Sequence, residues 1–226
     1  MAKTVVLLSG GLDSTVNTAL AVRQGGGILL AITCDYGQRC AEMEIASAQA
    51  ISRHYGIEHK IVPIRWLGEL AATPLTRADM PVPRPEEEGF ASADAKVWIP
   101  NRNGVLLNIA AAHAEALGAE RVITGFNAEE AQSFPDNSMD YVVAVNGAFQ
   151  YSCRTRVQVM SYTVRLDKRR IMLLAKRHDV PLHLSWWCYE KGAKACWRCG
   201  SCLRFRRAAE AARCVDWLKA KGVALG

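Results

Sequence analysis

The chain has 226 residues, half of them apolar, and a formal net charge of +6. This length fits one large domain, or a core with a small appendage, and the apolar share is enough to build a substantial core. No apolar run reaches the roughly 18 residues that a membrane-spanning helix needs, and the first residues lack a signal-peptide pattern, so a cytoplasmic protein is expected.

Apolar segments alternate with segments of helical spacing along the chain. Strands are predicted at residues 4–8, 28–33, 59–64, 121–124 and 157–162. Helices are predicted at residues 39–55 and 103–117, each stopped by a glycine, and from Asp167 as N-cap through His178. This alternation predicts an α/β fold with a doubly wound parallel sheet, whose ligands bind beyond the carboxyl ends of the strands where the strand order switches.

Residues 67–97 interrupt the alternation. This segment, called the excursion below, is rich in proline, carries the acidic run Glu86–Glu88 and shows little periodicity. A mobile lid and a variable surface loop are both consistent with such a segment.

The motif LSGGLDST at residues 8–15 follows the first strand directly. Gly10 and Gly11 allow positive φ angles and let a phosphate approach the main chain, while the next amides open a helix that favours an anion. Asp13 suits a Mg²⁺ that bridges to phosphates, or is an early helix residue favoured by the dipole. Hydroxyl donors are added by Ser9, Ser14 and Thr15. The lysine of the Walker pattern is absent, so the usual γ-phosphoryl transfer is not expected.

This loop resembles the S-G-G-x-D-S/T signature of the PP-loop, or N-type, ATP pyrophosphatases. The resemblance implies that the loop holds the pyrophosphate of ATP while a substrate oxygen attacks the α-phosphorus. The missing lysine then reflects the bond that breaks, which lies between the α and β phosphates. The implied ATP-binding residues are Leu8, Ser9, Gly10, Gly11, Asp13, Ser14, Thr15 and Gly125.

Further motifs narrow the resemblance. They are DYGQR at 35–39, PNRN at 100–103, TGFNAE at 124–129, FPD at 134–136, LDK at 166–168, and a cysteine cluster near the end. In this order, over nearly the whole chain, they are similar to the 7-cyano-7-deazaguanine synthase family of the queuosine precursor pathway. That similarity implies adenylation of 7-carboxy-7-deazaguanine, attack by ammonia to give an amide, and a second activation that yields the nitrile. It also implies a homodimer.

The resemblance assigns roles to individual residues. The implied catalytic residues are Asp13, Lys168 and Arg102, of which the two cations would balance charge at the phosphates and the carboxylate. The implied substrate residues are Tyr36, Gln38, Arg39, Arg102, Asn103, Asn127 and Asp136. Asp136 could accept hydrogen bonds from a guanine-like N–H edge. Lys168 is otherwise a solvated residue in the first turn of a helix.

Three stretches depart from the family pattern. Asn101 stands where relatives usually have glycine, Glu130 where they commonly have aspartate, and Asn137-Ser138 where they have Cys-Arg. A relative that activates another carboxylate, or stops at the amide, fits these changes as well.

Four of the eight cysteines form the pattern C-x7-C-x2-C-x2-C. Cys188, Cys196, Cys199 and Cys202 suit a tetrahedral structural Zn²⁺ site, and a [4Fe–4S] cluster would take the same four ligands. The family resemblance favours zinc. With a helix after it, this knuckle forms a predicted C-terminal unit at residues 185–226, following an ATP-binding unit at residues 1–184.

The whole net charge lies in this tail, which has nine Lys/Arg and three Asp/Glu from residue 188 onward. The favoured interpretation is compensation of a negative zinc–thiolate centre by Arg198, Arg204, Arg206 and Arg207. RNA binding is the alternative. Two rival functions stay open: a tRNA-modifying sulfurtransferase that uses Cys34 or Cys153, and a nucleotide-binding module without turnover.

Overall fold

A computed structural model of the protein describes residues 2–25 and 27–225. Within them, five parallel strands form one sheet in the order β3-β2-β1-β4-β5. The strands are β1 (Lys3–Leu7), β2 (Gly27–Asp35), β3 (His59–Pro63), β4 (Arg121–Ile123) and β5 (Gln158–Met160). The predicted parallel sheet is confirmed, and every predicted strand end lies within two residues of the observed one.

Ten α-helices connect and cover the strands of the described chain. They are α1 (Leu12–Arg23), α2 (Ala41–Tyr55), α3 (Arg65–Glu69), α4 (Pro85–Glu88), α5 (Phe90–Lys96), α6 (Arg102–Ala116), α7 (Met139–Ser152), α8 (Lys168–Arg177), α9 (Gly200–Ala211) and α10 (Val215–Ala220). The predicted caps are confirmed: Gly56 and Gly118 adopt positive φ angles of 66° and 64°, and the Asp167 side chain accepts a hydrogen bond from the Arg170 amide at 2.7 Å. None of the described helices is long and apolar enough to cross a membrane.

Helices lie on both faces of the sheet, as a doubly wound topology requires. In β1, Val5 packs into the core cluster that contains Leu107 of α6, whereas Val6 packs into the cluster that contains Ala48 of α2. This alternation follows from the two-residue period of a strand, and both valines are completely buried. Burying a side chain of this size stabilises the fold by roughly 1.5–3 kcal/mol.

The strand order reverses between β1 and β4, because the chain moves outward through β2 and β3 on one side and through β5 on the other. The loop after β1 and the loop after β4 therefore lie side by side at the carboxyl edge of the sheet. A crevice at this position is where open α/β sheets bind their ligands.

The excursion is held against the tail. Arg204 of α9 donates to both carboxylate oxygens of Asp94 in α5, at 2.5 and 3.1 Å, and both side chains are buried. Arg206 pairs with Glu86 at 3.3 Å. The acidic run thus faces the basic tail across the structure.

Candidate functional site

A cavity of about 250 Å³ lies beyond the carboxyl ends of β1, β2 and β4. It brings together most of the residues that the sequence predicted for ATP and substrate binding. Those in its wall are Leu8, Ser9, Gly11, Asp13, Ser14, Tyr36, Gln38, Arg102, Asn103, Gly125 and Lys168.

Two glycines of the loops around this cavity are needed for steric reasons. Gly10 has a φ of +81°, and a Cβ atom there would lie 2.5 Å from the Ser47 Oγ of α2. A Cβ at Gly125 would lie 2.7 Å from the Ser14 backbone nitrogen, so the loop after β4 touches the first turn of α1. These close approaches shape the opening of α1 as an anion-binding turn.

Side-chain hydroxyl groups of the loop form hydrogen bonds that stabilise the same turn. Thr15 is completely buried, and its Oγ1 donates to the Gly11 carbonyl at 2.7 Å. The Ser9 and Ser14 hydroxyls lie 3.1 Å apart. Thr15 therefore shapes the loop from outside the cavity wall, whereas Ser9 and Ser14 face into the cavity.

Lys168 lies between two carboxylates at the centre of the site. Its Nζ is 2.5 Å from Asp13 Oδ2 and 2.6 Å from Glu130 Oε1. Burial raises the pKa of Asp13 to about 6, although Lys168 opposes this shift. At Glu130 the opposite holds: burial raises the carboxyl pKa, but Lys168 outweighs it and the net pKa is lowered. Burial likewise disfavours the Lys168 cation, but the two carboxylates outweigh it and raise the lysine pKa. Lys168 is thus a charged group.

Asp13 retains an unused acceptor. Its Oδ1 is buried and has no hydrogen-bond partner among the described residues. A buried carboxylate oxygen without a partner is costly in a folded protein, and a bound cation satisfies it.

Glu130 is a candidate site residue that sequence reasoning noted only as a departure from the family pattern. Its position next to the TGFNAE motif was the available signal. The Glu129 carboxylate also accepts a hydrogen bond from the Lys168 backbone amide at 3.0 Å, which fixes the start of α8 against this loop.

Arg102 supplies a second cation to the cavity. Its guanidinium lies over the Tyr36 ring, 5.8 Å from the centroid, with Nη1 3.5 Å from the Tyr36 hydroxyl. Within the described residues, no carboxylate lies within 4.0 Å of this guanidinium. An inward-facing arginine without a carboxylate partner suits a ligand that brings its own negative charge.

Three predicted substrate residues lie outside the cavity wall. Arg39 donates to the carbonyls of Pro74 and Met80 and pairs with Glu190 at 2.8 Å, so it joins the excursion to the tail. Direct contact of Arg39, Asn127 or Asp136 with the substrate stays a prediction.

The other two are held by short-range hydrogen bonds. Asn127 is completely buried, and its Oδ1 accepts from the Glu130 amide at 2.9 Å. Asp136 accepts from the Asn137 side chain at 3.2 Å, and burial raises its pKa.

The tail closes the cavity. Its side chains in the wall are Trp186, Trp187, Tyr189, Ser201 and Phe205. The Trp186 amide donates to the Gly10 carbonyl at 2.9 Å, which ties the tail to the phosphate loop. Trp186, Trp187 and Trp197 also pack against the clustered cysteines. Trp187 stacks on Phe205 as well, with ring centroids 3.7 Å apart.

The four clustered cysteines form a candidate metal centre. Their sulfur atoms all lie within 4.8 Å of one another. Cys188 Sγ accepts hydrogen bonds from the amides of Glu190 and Cys196 at 3.3 Å each, and Cys196 Sγ accepts one from the Cys199 amide. Amide donors of this kind stabilise thiolates, so the group can hold a metal.

The interpretation of the tail arginines needs correction. Arg204 and Arg206 were expected to donate to the sulfurs or counter their charge, but they pair with Asp94 and Glu86 of the excursion. Arg207 lies over the Phe90 ring, 4.6 Å from its centroid. Backbone amides, and not these three arginines, donate to the sulfurs.

The remaining cysteines bear on the sulfurtransferase hypothesis. Cys34 lies in the cavity wall, but burial raises the pKa of its thiol to about 12, which disfavours the reactive thiolate. Cys153 is not part of the wall. Cys40 also lines the cavity, and burial raises the pKa of its thiol as well.

The phosphate loop without a Walker lysine, at the switch point of a parallel sheet, defines a PP-loop α/β protein. The model of the family described as queuosine biosynthesis protein QueC matches residues 3–213. The chain belongs to that family.

Similarity to curated proteins supports the same family membership. The chain is 47% identical over 216 residues to the 7-cyano-7-deazaguanine synthase of Pelotomaculum thermopropionicum, covering 93% of this chain and 97% of the relative. It is 48% identical, with the same coverage of both chains, to the enzyme of that name from Desulforudis audaxviator. Among solved structures, it resembles the U34-tRNA thiolase NcsA from Methanococcus maripaludis, which carries a [4Fe-4S] cluster. The TM-score is 0.51 at 17% identity, over 97% of this chain and 67% of that one, and this likeness concerns the fold alone.

Proposed function

We propose that this protein is an ATP-dependent ligase that converts 7-carboxy-7-deazaguanine and ammonia to 7-cyano-7-deazaguanine. The observation that carries the proposal is the single cavity in which the phosphate loop, the Lys168 cation and an Arg102 without a carboxylate partner converge. The family to which the chain belongs adds the identity of the acid.

The phosphate loop would hold the β and γ phosphates of ATP as the leaving pyrophosphate. Hydroxyls of Ser9 and Ser14 and the amides at the start of α1 face the cavity at this point. Lys168 is charged and close by, so it can stabilise the negative charge that develops around the α-phosphorus.

Arg102 would bind the substrate carboxylate and direct one of its oxygens to the α-phosphorus. That oxygen forms the new P–O bond, the α–β bond breaks, and pyrophosphate leaves. Ammonia then attacks the acyl carbon, AMP departs with the carboxylate oxygen, and a proton is lost to give the amide. In a second round the amide oxygen attacks the α-phosphorus of another ATP and pyrophosphate leaves; the C–O bond then breaks, and loss of AMP and of both amide protons forms the nitrile.

The residues present fit two metal ions. The unpartnered Asp13 Oδ1 suits Mg²⁺, which would neutralise phosphate charge when bound. The four thiols suit Zn²⁺, because metal–sulfur bonds of about 2.3 Å in a tetrahedron separate the sulfurs by about 3.8 Å. Cys196 Sγ and Cys202 Sγ are 4.0 Å apart. In a [4Fe–4S] site the cluster lies between the cysteine sulfurs and would hold them farther apart than this. Zinc with no open position would be structural.

The experiment uses the zinc-loaded protein with ATP, Mg²⁺, ¹⁵N-ammonium and 7-carboxy-7-deazaguanine labelled with ¹⁸O in the carboxylate. A ¹⁵N-nitrile is expected, together with AMP that carries one ¹⁸O atom from each activation. Asp13→Ala should abolish AMP formation, and Asp216→Ala, an exposed aspartate of α10, should not. An amide as sole product would identify an enzyme that stops halfway, and AMP released only with tRNA would overturn the proposal.

A cytoplasmic location, a homodimeric assembly and the absence of nucleic-acid binding are part of the proposal. The pairing of tail arginines with excursion carboxylates supports the last of these, because it leaves less positive charge for RNA. Size-exclusion chromatography with light scattering tests the dimer.

A further inference from the structure

Glu44 contributes a carboxylate to the cavity wall that neither the phosphate loop nor the Arg102 region uses. It stands in the first turn of α2. The same helix holds the phosphate loop one turn later, where the Ser47 hydroxyl lies 3.1 Å from the Gly10 carbonyl oxygen. Glu44 is therefore fixed relative to the nucleotide-binding loop.

The amide of Gln38 orients this carboxylate. Gln38 Nε2 donates to Glu44 Oε2 at 2.7 Å and to the Cys34 carbonyl at 3.3 Å, and its Oε1 accepts from the Tyr36 amide at 3.0 Å. Both amide hydrogens of Gln38 are thus in use. The predicted contact of Gln38 with substrate stays a prediction, and its hydrogen bonds also hold Glu44 in place.

The second oxygen of Glu44 faces different surroundings. No described N–H group donates to Oε1, and Glu44 forms no ion pair with Arg102 within 4.0 Å. Burial raises the pKa of Glu44, while Gln38, the Cys40 thiol and Arg102 favour the charged form. The carboxylate therefore keeps acceptor capacity for N–H donors of a ligand that enters the cavity.

We propose that Glu44 is a specificity-determining residue that accepts hydrogen bonds from the N1–H and 2-amino groups of a guanine-like ring, with Gln38 as its positioning residue. This inference rests on the proposed function. The guanine edge presents two adjacent N–H donors, which match the acceptors of one carboxylate. The corresponding edge of adenine presents an acceptor beside its amino group, so Glu44 favours the substrate over ATP. Asp136, the earlier candidate, lies outside the wall and is bonded to Asn137.

The test compares Glu44→Gln, Glu44→Asp and a matched control, Glu42→Gln, which changes an exposed glutamate in the same helical turn. Glu44→Gln should lower kcat/KM for 7-carboxy-7-deazaguanine by about 100-fold, because its amide N–H₂ opposes the ring donors. Glu44→Asp should recover part of this loss, and Glu42→Gln should match the wild type. The KM for ATP should stay unchanged in all three.

A second substrate separates recognition from structural damage. The analogue that lacks the 2-amino group should be a much poorer substrate than the parent acid for the wild type. Glu44→Gln should treat the two alike, and Gln38→Leu should lose part of the discrimination. If the wild type is active and Glu44→Gln still discriminates between the two acids as strongly as the wild type does, the role of Glu44 is overturned and the ligase proposal stays intact. A wild type that neither binds nor converts the acid overturns both.

Discussion

Replacing Asp13 by asparagine is expected to stabilise the ligand-free protein while it abolishes AMP formation. The Asp13 carboxylate is buried beside a second carboxylate, Glu130, and shares one cation with it. Asparagine has nearly the same shape, carries no charge, and leaves Lys168 paired with Glu130. The substitution removes a buried negative charge. Function needs this charge to bind a cation, but in the ligand-free protein it destabilises the fold.

The size of the effect follows from the pKa. Burial raises the pKa of Asp13 from 3.8 to about 6. At about 1.36 kcal/mol per pKa unit, the ionised carboxylate lowers the free energy of unfolding by about 3 kcal/mol. The protonated form is the one that the folded state favours, so this loss is absent below pH 3.8 and grows as the pH rises through 6. About half of it is present at pH 5, and all of it above pH 7.

Urea unfolding with zinc present and magnesium absent measures the difference. The free energy of unfolding of Asp13→Asn should exceed that of the wild type by about 3 kcal/mol at pH 7.5 and by about half of that at pH 5. Asp216→Asn, at an exposed position, should show no such pH dependence. Added Mg²⁺ and ATP should narrow the gap by stabilising only the wild type. An asparagine variant that is no more stable at pH 7.5 would refute the reasoning, since Lys168 would then outweigh burial at Asp13.

Arg102→Lys keeps the charge but loses the planar fork, so the KM for the carboxylate substrate should rise about tenfold or more while the KM for ATP stays constant in steady-state AMP assays. Cys199→Ser should lose the bound metal and most soluble protein, as metal analysis would record, whereas Cys153→Ser, outside the cluster, should keep both. Asp94→Asn removes the buried carboxylate that pairs with Arg204 and leaves this arginine, among the described residues, only Glu129, 3.9 Å from its Nε, which should lower the free energy of unfolding by about 3 kcal/mol in urea. Wild-type stability in that variant would mean that this pair does not anchor the excursion.

Strand and helix limits were predictable where the signals lie within a few residues of the element. Gly56 and Gly118 stop their helices in the left-handed conformation, and Asp167 caps α8 through its own side chain. Helix α7 was not predicted, although its N-cap is equally local: Ser138 Oγ accepts from the Tyr141 amide at 3.1 Å. That stretch was interpreted only as a departure from the family motif, and its capping signal was not used.

In the candidate site, too, the residues set by local sequence were predictable and those brought together by the fold were not. The phosphate loop and the four cysteines were predictable, because each set of residues is nearly contiguous and its spacing reflects one local geometry. The partners of Lys168 were not, because Asp13, Glu130 and Lys168 come from three segments far apart in the sequence that meet only when the sheet has formed.

The ion pairs between the excursion and the tail could not be predicted from the sequence. From the sequence, the excursion and the basic tail had separate interpretations: a lid or a surface loop for the excursion, and RNA binding or zinc compensation for the tail. In the fold they face each other, with Glu86 paired to Arg206 and Asp94 to Arg204. The tail also reaches the phosphate loop through the Trp186 amide and the Gly10 carbonyl. Because the cysteine cluster and this contact belong to one short segment, loss of the metal should disturb the phosphate loop, and a structural metal would then control nucleotide binding without touching the nucleotide.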